Sequence, residues 1–309
     1  MEWRISTKKK GRVLVLILCM ITTILTAQEK EAQREAKVHL LPLLNYDYLS
    51  LGSQTVHSPG TGLIVTGENI MAAGLYSFHS LGNEPTDSYP TEYHSLVFML
   101  DACKDRHTYL AVFKSQSDKP VYGGLNTFQS AAVYGYQLFK GPRFSLVLGG
   151  GLAAGDFGIE GASGEPWPLL PVPLIRMNYN SGWMEASFEF LTGPNLCFTI
   201  APERRIRFTG DFRMDQFRDI HDLIFENALH YRFFPADHPM GDLAGVSIGV
   251  KNDVYAFDLA GEEEPLEIQY YALFGAIDLT LLKISGGYTF NDGNEKNGLY
   301  LSLQGMCQF

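Results

Sequence analysis

Apolar and polar side chains alternate along most of this chain, with the period of two residues that is typical of β-strands. The clearest example is the segment 205–215, in which Ile206, Phe208, Phe212 and Met214 share one face and five charged residues share the other. The same alternation recurs in the segments 183–190, 221–233 and 283–290. From residue 69 onward the pattern predicts strands of about 8–15 residues and no amphipathic helix.

The alternation continues to the last residue of the chain. One face of this final segment carries Leu299, Leu301, Leu303, Cys307 and Phe309, and the opposite face carries Tyr300, Ser302, Gln304 and Gln308. A strand that runs to a terminus and ends on an aromatic residue needs a partner at both edges, because termini otherwise fray. Closure of a sheet into a barrel supplies both partners, although the last strand of a soluble sandwich would also alternate.

Short and long connections alternate between the predicted strands, as in outer-membrane barrels, which pair short periplasmic turns with longer external loops. With the carboxyl terminus in the periplasm, the external connections are 81–91, 115–124, 157–168, 192–195, 216–220, 261–265 and 291–297. The periplasmic connections are 104–106, 140–142, 180–182, 202–203, 235–242 and 281–282, of which 235–242 is unusually long. This assignment gives fourteen strands. Twelve remain an alternative, because the segment 196–201 is short and the turn at 281–282 has no Gly, Pro or Asn.

The first 27 residues have the layout of a secretory signal peptide. Five Lys and Arg residues precede the apolar run 13–25, and cleavage is expected after Ala27. Beyond this segment there is no run of about 18 or more apolar residues, so no spanning helix is predicted. Only helices and closed barrels satisfy every backbone polar group in lipid, so insertion into a membrane would require a barrel.

The predicted fold is therefore all-β, a transmembrane antiparallel up-and-down β-barrel of about 12–14 strands. The predicted domains are a signal peptide at 1–27, an N-terminal leader at 28–68 and the barrel at 69–309. The leader could contribute an extra hairpin or a plug.

The charge and the cysteines exclude several classes of protein. The full chain has a formal net charge of −10, and removal of the basic signal segment makes it more acidic. Nucleic acid is therefore not an expected partner, because phosphate binding needs basic patches. Cys103, Cys197 and Cys307 show no CxxC or Cys/His spacing, so neither a disulfide framework nor a zinc site is predicted, and no cofactor is expected.

Charged residues of both signs lie on the polar faces of neighbouring predicted strands, which point into the lumen of a barrel. These predicted pore-lining residues are Arg176, Glu185, Glu189, Arg205, Arg207, Asp211, Arg213, Asp215, Glu226, His230 and Arg232, joined by Lys251 and Asp253. Opposed arginine and carboxylate rows would create a transverse field that selects small polar solutes. The alternative is an internal salt-bridge network that fills a narrow barrel.

A catalytic barrel is a further alternative, because a hydrolase requires a nucleophile or an activated water beside a base. The candidates are Ser187 with His230 and Glu226, or His94 with Ser95, and neither set carries a recognisable motif. The run Gly149-Gly150-Gly151 lacks the spacing of a phosphate-binding loop. Small residues there favour bending of a strand or the close approach of another backbone.

Four stretches resemble a family of bacterial outer-membrane β-barrel proteins that is known only as a domain of unknown function. They are 145–151, 171–176, 207–215 and the ending on Phe309. The general pattern is also similar to that of porins, without a motif that matches position by position. The resemblance implies the fold, a location in the cell outer membrane and recognition of the Phe309 strand by the barrel insertion machinery. It carries no catalytic residues.

The sequence thus favours a passive channel for small hydrophilic solutes, exported through the periplasm of a Gram-negative bacterium. Outer-membrane lipids, lipopolysaccharide and the insertion machinery are the expected partners. Two alternatives stay open: a barrel hydrolase acting on lipid, lipopolysaccharide or peptide, and a non-conducting structural or adhesive barrel. An enzyme is the less favoured of the classes.

Overall fold

The computed structural model describes residues 38–52, 54–82, 90–120, 127–155, 169–191, 193–214, 223–234, 244–257, 266–279, 282–290 and 297–306. The chain divides into two units, Met1–Val38 and His39–Phe309. The described strands all belong to the second unit. The predicted signal peptide and the leader up to residue 37 lie outside the described residues.

Sixteen strands make up the described part of the second unit. They are β1 (His39–Leu51), β2 (Gln54–Thr66), β3 (Ile70–Gly82), β4 (Glu92–Lys104), β5 (His107–Ser117), β6 (Phe128–Lys140), β7 (Phe144–Gly155), β8 (Leu169–Asn180), β9 (Met184–Phe190), β10 (Pro194–Ile200), β11 (Ile206–Met214), β12 (Leu223–Arg232), β13 (Ala244–Phe257), β14 (Leu266–Leu279), β15 (Leu282–Phe290) and β16 (Gly298–Met306). Among the described residues there is no helix long and apolar enough to cross a membrane.

Each strand pairs with its sequence neighbours, and β1 pairs with β16 to close the barrel. The closing pairing is antiparallel and runs from Leu43 opposite Met306 to Leu49 opposite Tyr300. The predicted antiparallel up-and-down barrel is therefore confirmed. Because the strand number is even, β1 begins and β16 ends at the same end of the barrel, which we call the terminal end. The opposite end is called the far end.

The number of strands is sixteen, so the expectation of twelve or fourteen was too low. The thirteen predicted connections all overlap connections within β3–β16. The two additional strands are β1 and β2, in the segment 28–68, for which the sequence allows an extra hairpin or a plug. Pro59 interrupts the signal there, because proline has no N–H for the ladder, and the β2–β3 pairing skips Ser58 and Pro59.

The outer surface is apolar along the whole barrel. Exposed aliphatic side chains include Leu148, Leu152, Leu196, Leu229, Ile248, Leu273, Ile277, Leu299, Leu301 and Leu303. Most exposed aromatic side chains lie towards the terminal end, including Tyr136, Phe139, Phe144, Tyr179, Trp183, Tyr231 and Phe233, whereas Tyr288 and Phe290 lie towards the far end. An apolar band flanked by an aromatic girdle is the surface that a barrel needs in a bilayer.

The interior is filled with side chains towards the far end. Phe257 of β13 stacks on Tyr93 of β4, with ring centroids 4.5 Å apart, and it lies 4.9 Å from the ring of His79 on β3. Both Phe257 and Tyr93 are fully buried. These contacts join β4 and β13, which lie seven strands apart in the ring, through the lumen. We call Phe257, Tyr93 and His79 together the aromatic plug.

Opposite walls of the barrel also approach each other. Cα atoms of β5 and β13, which lie eight strands apart in the ring, come within 8 Å. Face-to-face sheets usually pack about 10 Å apart, so little space is left between these two strands. A second group of buried apolar side chains lines the interior of β5–β8, including Leu110, Val133, Val147 and Leu174. The lumen is therefore not a uniform round pore.

The glycine run of β7 allows two strands to approach closely. A Cβ atom on Gly149 would overlap the backbone carbonyl oxygen of Tyr134, and one on Gly151 would overlap that of Ala132. Both carbonyls belong to the adjacent strand β6. The small residues at these positions therefore fit the close approach of a neighbouring backbone that the sequence favoured.

Candidate functional site in the barrel interior

Polar side chains of the interior form one continuous row across seven neighbouring strands and a second row across four of them. Residues opposite each other in paired strands point to the same face, so the registers define each row. The central row, from β7 to β13, is Ser145, Asn178, Ser187, Cys197, Asp211, Glu226 and Lys251. The next row towards the far end contains Arg176, Glu189, Asn195 and Arg213. We call these two rows together the polar wall.

Arg176 is the most completely paired cation of the polar wall. Its Nη1 lies 2.9 Å from Asp101 Oδ2, and both Nη2 and Nε lie 2.6 Å from Glu189 Oε2. Glu189 is on the adjacent strand, whereas Asp101 is on β4, four strands away. This ion-pair triad therefore bridges the lumen and holds two parts of the wall together.

Sequence reasoning predicted Arg176 and Glu189 as pore-lining but missed Asp101. The available signal was weak, because Asp101 is a single carboxylate at the end of the apolar run 96–100. Asp101 contacts Arg176 only because the closed barrel brings β4 close to β8. The local sequence of neither strand indicates this contact.

Lys251 is the second cation with satisfied contacts. Its ammonium donates to the hydroxyl of Tyr270 at 3.0 Å, lies 3.7 Å from Asp253 Oδ2 and sits 3.8 Å from the centre of the Tyr300 ring. A desolvated ammonium over an aromatic ring is stabilised by the ring quadrupole. The two tyrosines were not among the predicted residues.

Other charged groups of the interior are much more accessible to solvent. The side chains of Arg213, Glu226, Lys283 and Asp253 are 50%, 44%, 36% and 32% exposed. Their ion pairs are long, 3.9 Å between Arg213 and Asp253 and 4.0 Å between Lys283 and Glu226. Such solvated pairs contribute little stability, so these groups remain available to a solute.

Two carboxylates face each other at the centre of the polar wall. Asp211 and Glu226 are directly opposite in the β11–β12 register, which places their Cβ atoms about 4.5–5.5 Å apart. The thiol of Cys197 lies 3.5 Å from Asp211 Oδ2 and donates to it. Like charges at this spacing repel each other and favour a nearby cationic group.

Two cavities run along the polar wall. One, of about 410 Å³, opens near the terminal end and is lined by Arg143, Ser145, Asn178, Asn180, Glu185 and Ser187, among others. The second, of about 340 Å³, is lined by Asp211, Arg213, Glu226, Lys251 and Asp253, among others. Cys197, Phe198 and Thr199 line both. The cavities are therefore adjacent, and together they extend along the polar wall from β7 to β13.

The remaining predicted residues of the strands lie on the same inner face, nearer the terminal end. The Nε2 atom of His230 lies 2.8 Å from Thr209 Oγ1, and Glu185 accepts a hydrogen bond of 3.2 Å from Asn180. Arg207 lies opposite His230 in the register, and Arg232 is buried.

Two predicted residues do not belong to the strand wall. Arg205 is exposed in the connection before β11, one residue outside the strand in which it was expected. Asp215 lies outside the described residues.

The proposed catalytic pairs are not assembled. Ser187 is on β9 and His230 is on β12, and strands three positions apart are separated by about 14 Å. His94 and Ser95 are adjacent in β4, so their side chains point to opposite faces, and His94 bonds Tyr76 at 2.7 Å. Within the described part of the chain, no group of three or more His, Cys, Asp or Glu residues is placed to hold a metal ion.

Comparison with known proteins gives only distant likenesses. No family model matches the chain, and no curated protein matches it. Among solved structures, Pseudomonas aeruginosa OpdQ is 9% identical with a TM-score of 0.44, over 89% of this chain and 100% of that one. P. aeruginosa OpdK with vanillate is 8% identical with a TM-score of 0.42, over 88% and 99%. OmpT, an outer membrane protein of Vibrio cholerae, is 8% identical with a TM-score of 0.29, over 89% and 100%.

Proposed function

We propose that this chain is an outer-membrane channel through which small hydrophilic solutes diffuse along the polar wall. The proposal is carried by the two adjacent cavities, which are lined by hydrogen-bonding and charged side chains from β7–β13. Opposite charges on neighbouring strands create a field across such a path, and this field favours polar solutes over apolar ones.

The outer surface supports insertion into a membrane. Exposed leucine, isoleucine and valine side chains surround the barrel, and exposed aromatic rings follow one of its rims. In water so much exposed apolar area would cause association, whereas in lipid it is the required surface. The location proposed is the outer membrane of a Gram-negative bacterium. The chain would reach it through the periplasm, with the aid of the barrel insertion machinery.

A non-conducting barrel is the second candidate function. The aromatic plug and the approach of β5 to β13 favour it, because both remove space from the lumen. The channel passes ions along the polar wall, whereas the non-conducting barrel does not. Measurement of ion conductance therefore distinguishes the two candidate functions.

Single-channel recording of the refolded chain in planar lipid bilayers tests the channel. We expect discrete openings in potassium chloride, with a conductance below that of a wide open porin because the plug fills part of the lumen. Folding of the same preparation is verified by heat-modifiable migration on gels. A folded barrel without openings above the lipid background would overturn the channel and leave the non-conducting barrel.

A further inference from the structure

The cavity beside β11 and β12 presents charges of opposite sign at two separate positions. We propose that the path is adapted to dipolar solutes that carry both an ammonium and a carboxylate group, namely amino acids and short peptides. This inference rests on the proposed channel function and deepens it by naming the solute class.

Arg213 supplies the cationic position. Half of its side chain is exposed, and its ion pair with Asp253 is 3.9 Å long. The guanidinium therefore keeps donors free to bind a solute carboxylate, for which its planar fork is well suited. Arg176 cannot take this role, because Asp101 and Glu189 already occupy it at 2.9 and 2.6 Å.

Asp211 and Glu226 supply the anionic position. They lie directly opposite each other in the register, and Lys283 approaches Glu226 only to 4.0 Å. Lys251 is directly opposite Glu226 in the β12–β13 register, but its ammonium is held by Tyr270, Tyr300 and Asp253. An ammonium group placed between the two carboxylates would relieve their repulsion.

The spacing of the two positions fits a short peptide. Arg213 and Asp211 are two residues apart on the same face of β11, which separates them by about 7 Å along the strand. An extended chain covers about 3.3–3.6 Å per residue, so the two termini of a dipeptide are separated by a similar distance. Both positions line one cavity of about 340 Å³.

The test compares two solutes of similar size in osmotic swelling of proteoliposomes. Glycylglycine carries both charges, whereas N-acetylglycinamide carries none. In the unmodified protein we expect glycylglycine to enter the proteoliposomes faster than N-acetylglycinamide. The ratio of the two rates should fall about threefold in R213Q and in the double variant D211N/E226Q, as expected for the loss of one solvated charge contact.

Matched controls are R205Q and E203Q, which remove exposed charges of the same types from the connection 201–205, and both should keep the original ratio. If D211N/E226Q does not fold, D211N alone replaces it. A ratio unchanged in every variant, with normal conductance, overturns the dipolar solute and leaves the channel. A fall in R213Q alone also overturns it, since it indicates a purely anionic preference. A folded barrel without conductance overturns both proposals.

Discussion

At the scale of single residues, the interior charges divide into two kinds. Arg176 and Lys251 have close partners and little exposure, so they tie strands together: Arg176 reaches Asp101 four strands away, and Lys251 contacts Tyr270 and Tyr300. Arg213 and Glu226 have long ion pairs and large exposure, so they face the solvent of the cavity. The first kind is expected to affect stability and the second kind to affect selectivity.

Substitution of Arg176 by Gln should lower the free energy of unfolding by about 2 kcal/mol, because Asp101 and Glu189 lose the cation that joins them. Urea unfolding of the barrel in lipid vesicles, followed by tryptophan fluorescence, measures this change. R205Q removes an exposed arginine outside the strands and should leave the midpoint unchanged. Equal midpoints for R176Q and the unmodified chain would contradict a stabilising role of the triad.

At the scale of the strands, alternation and connection length predicted the fourteen strands β3–β16 with nearly correct boundaries. Both features depend on local sequence, and a strand that is apolar on one face only cannot shift by one residue without exposing the wrong side. The extra strand β2 was obscured by Pro59, Gly60 and Gly62, which read as turn signals.

The interior contacts were less predictable than the strands. Inward positions follow from alternation alone, as for Asp211 and Arg213 on β11. The pairing of Asp101 with Arg176 and of Tyr93 with Phe257 depends on how the closed barrel brings distant strands together. Such contacts leave no trace in the sequence of either strand by itself.

Substitution of Gly149 by Ala should destabilise the β6–β7 pair by about 1–3 kcal/mol, because the new Cβ would overlap the carbonyl oxygen of Tyr134. The control is G74A in β3, where a Cβ would meet nothing within 4 Å. Urea midpoints of both variants in vesicles measure the difference. A G149A variant as stable as G74A would contradict the close approach of these two strands.

At the scale of the whole molecule, the barrel has sixteen strands but an unevenly filled lumen. Barrels of this strand number leave an aqueous channel when they are round and empty. Here the aromatic plug and the apolar side chains of β5–β8 occupy part of the interior, and two adjacent cavities lie along the polar wall of β7–β13. The conducting path is therefore expected to be narrow, and its ion selectivity is expected to depend on the charges of the polar wall.

Substitution of Phe257 by Ala should increase the single-channel conductance, because it removes the ring that contacts Tyr93 and His79 across the lumen. It should also cost about 3 kcal/mol of stability through the cavity it leaves. The control is F98A, which removes an exposed ring from β4 and should leave the conductance unchanged. A conductance of F257A equal to that of F98A would show that the plug does not limit the current.

The central claim is that the polar wall lines the conducting path, and Cys197 offers the most direct test because it lines both cavities. In the variant C103S/C307S, Cys197 is the only cysteine after the predicted signal peptide. We predict that a charged methanethiosulfonate reagent reduces its single-channel current by about half or more, because the adduct narrows the path, and that the further change C197S abolishes the effect. Complete modification of Cys197, verified by mass spectrometry, with an unchanged current would contradict the account.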